Sequence, residues 1–266
     1  GRHNSALYAQ LTAIVFLSKG YTVYLYKHIV GTPFVPYAVR MLKNVAGIMI
    51  TASHNPKADN GYKLYWHNGC QIIEPHDVNI SNHISKNLQI WPDVKQHVDL
   101  LLAAKESERF ALIADKVKDP ESIIDNYFKD IVQYSFNRDA YDEQAKQKHE
   151  KIVFTAMHGV GAPFVRRAFE TFNLNPYVPV KEQIEADPEF PTVAYPNPEE
   201  GKGALAISIA TAEREGSRLI LANDPDADRL AVAERQDSGE WRIFNGNEIG
   251  FLLAHWAWVH YKKQHP

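Results

Sequence analysis

"VAGIMITASHNPKADNGYKLYW", residues 45–66, runs an apolar segment into a polar turn and out again into alternating aromatic and polar residues. Val45 to Thr51 has the length and composition of a buried strand, so Ser53 falls in the loop at that strand's C-terminal end. Asn55, Pro56, Asp59, Asn60 and Gly61 are turn formers, and "YKLYW" (62–66) leaves as a second strand. Towards the N-terminus, Asn4 or Ser5 caps a helix running to Lys19 with Gly20 as its stop. "YTVYLY" (21–26) reads as a strand, and Thr32-Pro33 opens a further helix. Towards the C-terminus, "CQII" (70–73) is a short strand, and the pattern is then polar and helical from Pro75 to about Gln147, a connector between domains.

The strand, loop and helix rhythm restarts at "KIVFTAMHGVG" (151–161) and continues through the helix "APFVRRAFETF" and the strand "PYVPV". A loop rich in Pro and Glu, residues 185–203, leads to a helix ending near Gly216, and "SRLILAND" (217–224) is the next strand. Alternation of helical and strand-like periodicity predicts an α/β protein with two successive mixed domains, each a sheet flanked by helices. The acidic loop "DPDADR" (224–229) lies at the C-terminal end of its strand, as Ser53 does. In open α/β sheets that edge is where ligands bind.

Of the 266 residues, 45% are hydrophobic and 23% charged, enough apolar material for real cores. A net charge of -3 and a pI near 6.5 argue against a nucleic-acid surface or an anionic membrane as partner, and favour a small or neutral one. The single cysteine, Cys70, closes no intrachain disulfide, no Cys/His cluster has zinc-ligand spacing, and a reducing, cytoplasmic setting fits. The longest apolar runs, near 11–17 and 251–259, are far shorter than the roughly 20 residues of a bilayer span. Neither an initiating Met nor a signal peptide opens the chain, and the apolar side of the C-terminal helix, with Trp256 and Trp258, has nothing after it to pack on. These features suggest a piece of a longer protein.

Asp224, Asp226 and Asp228 alternate, so an extended segment would turn their carboxylates to one side, and such crowding calls for a cation. Carboxylate oxygens without His or Cys suit a hard ion, Mg²⁺ above all. An isolated D-x-D-x-D is as often a solvated acidic turn, but here Pro225 stiffens the loop, apolar strands flank it, and Arg229 adds an anion-binding group. An EF-hand fails on spacing, because its sixth position would be Arg229 and its twelfth Arg235. A haloacid-dehalogenase-type phosphatase stays a weak rival, lacking further acidic residues for its metal.

Ser53 needs a partner to handle its proton, and His54 beside it and Lys63 just beyond the turn are candidates. A phosphate on Ser53 would add about -1.5 to -2 charge, which Mg²⁺ on the three aspartates would neutralise. Taken singly, Ser53, Asn55 and Asn60 are turn formers and His54 a surface residue. The serine and acidic loops together make one phosphoryl site the better reading.

"TASHNP", "NGYK" and "DPDADR" together resemble the signature of the α-D-phosphohexomutase superfamily, and similarity over nearly the whole chain points to its phosphoglucomutase-2/phosphopentomutase branch. The resemblance implies domains at 1–118 (truncated at its start, with the serine loop) and 119–244 (with the metal loop), and the start of a third at 245–266. It implies Ser53 as the phosphorylated serine, His54 and Lys63 in proton transfer, and Lys63 and Arg229 in contact with phosphate or substrate. Asp224, Asp226, Asp228 and a Ser53 phosphate oxygen would hold Mg²⁺. Small phosphorylated sugars would be the substrates and glucose 1,6-bisphosphate the activator or intermediate, with no nucleic-acid or membrane partner. A sugar-binding loop of the G-E-x-S-G type, a C-terminal phosphate-binding loop and an early Gly/Arg loop are not found, so the chain alone is expected to be inactive. The role of "HGVG" (158–161) stays open, as do pentose or hexose preference and oligomeric state, a monomer being the simplest case. A glucose 1,6-bisphosphate synthase uses the same loops, and a non-catalytic phosphosugar binder is the rival from another class.

Overall fold

A computed structural model describes residues 1–135, 150–199 and 203–265, and the chain is a mixed α/β protein. Its contacts divide into two units, one of residues 2–52 and 60–127, the other of residues 1, 53–59 and 128–266. The expected polar helical stretch beyond residue 135, and Glu200, Gly201 and Lys202 of the Pro/Glu-rich loop, fall outside the described residues.

In the first unit, helices α1 (Ser5–Ser18) and α2 (Phe34–Met41) precede strand β1 (Ala46–Ile50), which pairs antiparallel with β2 (Tyr62–Trp66). Asn4 sits at the cap position of α1 but makes no side-chain cap bond, contrary to expectation. The pairing of Ala46 with Trp66 and Ile50 with Tyr62 fixes the register of this ladder. It is extended by Thr51 N–H donating to Gly61 O at 3.1 Å. Gly61 is required there, since a Cβ would lie 2.3 Å from Thr51 O. Helices α3 (His76–Lys86), α4 (Pro92–Ala103), α5 (Glu106–Arg109) and α6 (Ser122–Ile131) come next, α6 running across the division of the units. Ala13 and Ile14 of α1 bury against Leu101 of α4 and Ile113, with Leu7, Leu11, Val23, Leu25 and Val117 around them. The α4 residues take part because Val94, Val98 and Leu101 fall on one face of the helix.

Two expected strands are not strands. "YTVYLY" makes a single parallel bridge, Tyr24 to Lys118, and "CQII" a single bridge, Gln71 to Tyr65. Both segments have strand composition, but "YTVYLY" bonds Lys118 through Val23 O and Leu25 N–H, and "CQII" bonds Trp66 through Cys70 O and Leu64 through Ile72 N–H, short of the row of pairs a strand needs.

The second unit contains β3 (Ile152–Thr155), α7 (Ala162–Thr171), β4 (Val178–Pro179), α8 (Ala206–Glu215), β5 (Leu219–Asn223), β6 (Leu230–Arg235), β7 (Trp241–Phe244) and α9 (Gly246–Gln264). The sheet order is β4-β3-β5-β6-β7, with β3 parallel to β4 and β5, and β6 and β7 antiparallel to their neighbours. Strand alternation sorts the side chains to two faces. Val153, Ile220 and Ala222 pack with Ala231, Ala233, Leu205 and Ala212 on one face, while Phe154 and Leu221 pack with Ala162, Val165 and Tyr177 on the other. Both faces of β3 and β5 are covered by helices, which is why these strands read as continuous apolar runs. Strand β7 went unread in the sequence although "WRIF" alternates.

Asn245 caps α9: its side chain accepts from Glu248 N–H at 3.0 Å, and Glu248 Oε2 accepts from Asn245 N–H at 2.9 Å. Phe251, Leu253, Trp256 and Trp258 of this helix are exposed. The Glu248 carboxyl is held below the usual carboxylate range, first by the Asn245 N–H and then by the Arg242 side chain. A carboxyl whose folded value is depressed stabilises the fold above its ordinary pKa of 4.5 and stops doing so as pH falls through the folded value. Glu248→Gln, which keeps the capping geometry but removes the charge, is therefore expected to lower the urea midpoint at pH 7. The deficit should shrink steadily below pH 4.5, and a deficit of constant size down to acid-induced unfolding would refute the charge contribution.

Candidate active site

Parallel pairing of β3 with β5 sets their C-terminal ends side by side, Thr155 level with Ala222. The chain leaves β3 through Met157 and His158, both in the left-handed region (φ 48° and 59°), and enters α7 after Gly161. It leaves β5 into the acidic loop. The two loops touch backbone to backbone, with Val160 N–H donating to Pro225 O at 2.8 Å. A Cβ on Gly159 would lie 2.3 Å from Pro225 Cα and 2.4 Å from Pro225 O, so only glycine allows this approach. The sequence leaves the role of "HGVG" open; in the structure Gly159 serves close contact with the acidic loop.

The acidic loop is not the extended segment that the alternation of aspartates predicts. Ala227 N–H donates to Asp224 O at 2.9 Å, closing a turn with Pro225 at its second position, and Ala227 is left-handed (φ 58°). The turn nevertheless gathers the carboxylates, with one oxygen each from Asp224, Asp226 and Asp228 within 4.8 Å of one another. Asp224 and Asp226 are buried and Asp228 is exposed. The Asp224 carboxyl is pushed up to about 7, chiefly by burial and then by the negative charge of Asp226, the hydrogen bond its protonated form donates to Asp226 and the charge of Asp228; the Ser53 hydrogen bond pulls the other way. Three carboxylates at this spacing, oxygen donors only, fit a hard divalent cation such as Mg²⁺.

Ser53 belongs to the same unit and meets this loop directly. It occupies the left-handed region (φ 49°), a conformation a serine adopts at some cost. Its Oγ donates to Asp224 Oδ2 at 2.8 Å and accepts from Arg229 Nη2 at 3.0 Å. His54 Nδ1 lies 3.3 Å from Ser53 Oγ and also accepts from Arg229 Nη2. Arg229 is anchored to Asp224 by three donors: its backbone N–H to Oδ1 at 3.1 Å, and Nε and Nη2 to Oδ2 at 3.2 and 3.1 Å. Lys57 completes the attachment of the serine loop through a 2.6 Å ion pair with Glu189.

The structure thus brings together Ser53, His54, Asp224, Asp226, Asp228 and Arg229. Lys63 lies in the other unit, on β2 opposite Met49. Two residues that sequence reasoning passed over support Arg229: Glu199, 3.9 Å from Nη1, and Asn223, whose side chain donates to Arg229 O at 2.7 Å. Asn223 is adjacent to the motif, whereas the approach of Glu199 carries no local signal in the sequence.

Behind this loop, His158 is buried, its Nε2 2.7 Å from Thr192 Oγ1, and burial pulls its imidazole below the usual histidine range despite the opposing charge of Asp187.

The mixed sheet flanked by helices is a phosphohexomutase-type fold. The family models for phosphoglucomutase/phosphomannomutase α/β/α domain I and domain II match residues 1–90 and 125–239, together more than half of the chain. The chain belongs to this family, the α-D-phosphohexomutase superfamily. Among its relatives, human phosphopentomutase is 50% identical over 262 residues, 98% of this chain and 40% of that protein. Human glucose 1,6-bisphosphate synthase is 45% identical over 255 residues, 96% of this chain and 39% of that protein. The chain therefore spans about 40% of the length of these relatives. The crystal structure of parafusin, a phosphoglucomutase from Paramecium in its open form, shares the fold with a TM-score of 0.57 at 20% identity, over 86% of this chain and 44% of that one.

Gly159→Ala is expected to destabilise the protein by about 1–3 kcal/mol, because backbone, not a side-chain tip, blocks the added methyl. Gly203→Ala, whose methyl would meet open space, serves as the control in urea unfolding. Equal midpoints for the two variants would show that the loops do not approach as described.

Proposed function

We propose that the protein is a phosphosugar mutase in which Ser53 carries the transferred phosphoryl group. One observation supports this most: Ser53 Oγ lies 2.8 Å from Asp224, one of the three clustered carboxylates, and 3.0 Å from Arg229 Nη2. A serine kept for turn formation alone would not need a buried carboxylate and a guanidinium on its hydroxyl.

On this reading Asp224, Asp226 and Asp228 would hold Mg²⁺. When bound, the ion supplies charge neutralisation for the phosphoryl oxygens. The protein's own groups do the rest. Phosphoserine presents its phosphoryl group to a sugar-phosphate hydroxyl; the bond from phosphorus to Ser53 Oγ breaks as the bond to the sugar oxygen forms, the hydroxyl's proton passes to a base, and Ser53 Oγ takes up a proton as it leaves. The resulting bisphosphate returns its other phosphoryl group to Ser53 by the same exchange in reverse. Arg229 Nη2, 3.0 Å from Ser53 Oγ, is placed to hold phosphoryl oxygens, and His54 Nδ1, 3.3 Å away, to exchange the proton. Lys63 is assigned to phosphate contact and proton transfer on the resemblance alone. The domains would run 1–118, 119–244 and onward from 245, the substrates would be pentose or hexose phosphates with glucose 1,6-bisphosphate as activator, and the setting cytoplasmic. Among the described residues no helix is long and apolar enough to cross a membrane.

A second reading, glucose 1,6-bisphosphate synthase, is favoured by the 45% identical relatives of that name. It uses the same serine, loaded from an acyl phosphate.

The test compares ribose 1-phosphate with glucose 1-phosphate conversion in the longest natural form of the chain, with Mg²⁺ and a trace of glucose 1,6-bisphosphate. Faster conversion of ribose 1-phosphate, abolished by Ser53→Ala, is expected. Bisphosphate formation from 1,3-bisphosphoglycerate without isomerisation would favour the synthase, and sugar-phosphate binding with no phosphoenzyme would favour the non-catalytic binder. The 266-residue chain alone is expected to form the phosphoenzyme without sustained turnover.

A further inference from the structure

The acidic loop is held from behind by a row of polar side chains that the proposed chemistry does not use. Met157 N–H donates to Thr155 Oγ1 at 3.0 Å, and Thr155 Oγ1 donates to Gln183 Oε1 at 2.8 Å. Gln183 Nε2 then donates to Thr192 Oγ1 at 3.0 Å, and that hydroxyl meets His158 Nε2 at 2.7 Å. The Thr155 hydroxyl passes its single hydrogen to Gln183, and the Thr192 hydroxyl, which accepts from Gln183, pairs with His158 Nε2 in the sense that the imidazole tautomer sets. Thr155 is 0%, Gln183 1% and His158 4% exposed, whereas Thr192 lies at the surface. The backbone takes part as well, with His158 N–H donating to Gln183 O at 2.9 Å and Asp187 N–H to His158 O at 3.0 Å.

This row constrains a backbone that would not hold its own shape. Met157 and His158 are consecutive non-glycine residues with positive φ, an arrangement that persists only where surroundings over-determine it. The next two residues touch the acidic loop, Gly159 against Pro225 and Val160 N–H to Pro225 O. Pro225 lies between Asp224 and Asp226 in sequence, so a shift of residues 158–160 is passed to two of the three carboxylates.

We infer that Thr155, Gln183, Thr192 and His158 are positioning residues for the acidic loop, setting the spacing of its carboxylates and hence its affinity for a divalent cation. The inference rests on the reading of Asp224, Asp226 and Asp228 as a cation site. None of the four need touch the cation or the sugar; they act through the backbone of residues 157–160. Outer groups that orient metal ligands typically change affinity by about 10–100-fold when removed.

The experiment measures Mn²⁺ binding to the 266-residue chain by electron paramagnetic resonance, alongside amide exchange of the segment 221–230. Thr192→Val is the first variant because its position at the surface lets the chain fold without the hydroxyl. Mn²⁺ binding is expected to weaken about tenfold, with faster amide exchange across the acidic loop, and Thr192→Ser is expected to restore both. Gln183→Met, which breaks the row in its buried middle, should weaken binding at least as much. Lower thermal stability with Mn²⁺ affinity unchanged within about twofold would show ordinary scaffolding and overturn the inference. Absence of Mn²⁺ binding by the unmodified chain would overturn the cation reading first and this role with it; Asp226→Asn tells the two failures apart, since it abolishes binding only if the cation reading holds.

Discussion

Parallel pairing of β3 with β5 is the constraint on which the site depends. It places two loop-bearing strand ends next to each other, and a glycine on one side lets the backbones meet. The core beneath is made by small and branched residues, Val153, Ile220, Ala222, Ala231 and Ala233, that leave no room for the strands to slide. A loop resting on such a base can gather three carboxylates without the freedom to relieve their repulsion by drifting apart. The raised value of Asp224 expresses that repulsion, added to the larger cost of burial.

The serine loop meets this base with opposite character. Ser53 and His54 bring a hydroxyl and an imidazole, Arg229 brings positive charge between them and Asp224, and Lys57 pairs with Glu189 at the periphery. The peripheral pair is exposed on both sides and contributes at most about 1 kcal/mol. The central contacts are partly buried and short, so geometry rather than surface charge fixes where the hydroxyl lies. A phosphoryl group on that hydroxyl would meet a guanidinium and a cation-competent cluster at once, which is the arrangement phosphoryl transfer requires.

Much of this was legible because it is local. β1, β2, β3, β5 and β6 are apolar or alternating runs bounded by turn residues, and helices α2, α7 and α8 are announced by Pro, Gly and amphipathic spacing. Recognition of the serine and acidic motifs came from adjacent residues alone. The failures were non-local. Among the described residues "YTVYLY" has strand composition but bridges Lys118 alone, and β7 depends on β6 beside it. Alternating aspartates allow an extended acidic loop, yet a turn at Pro225 and a left-handed Ala227 gather them instead. Glu199 and the Thr155 to His158 row join residues tens of positions apart, and no periodicity announces such partners.

Ser53 and the three aspartates are proposed to form one phosphoryl site. Its most direct test is intact-mass and phosphopeptide analysis of the chain after exposure to glucose 1,6-bisphosphate, with and without Mg²⁺. One phosphoryl group per chain is expected, on Ser53, formed only with the cation and suppressed about 100-fold or more by Asp226→Asn. Phosphorylation at another residue, or at Ser53 at the same rate without Mg²⁺ and without Asp226, would contradict it.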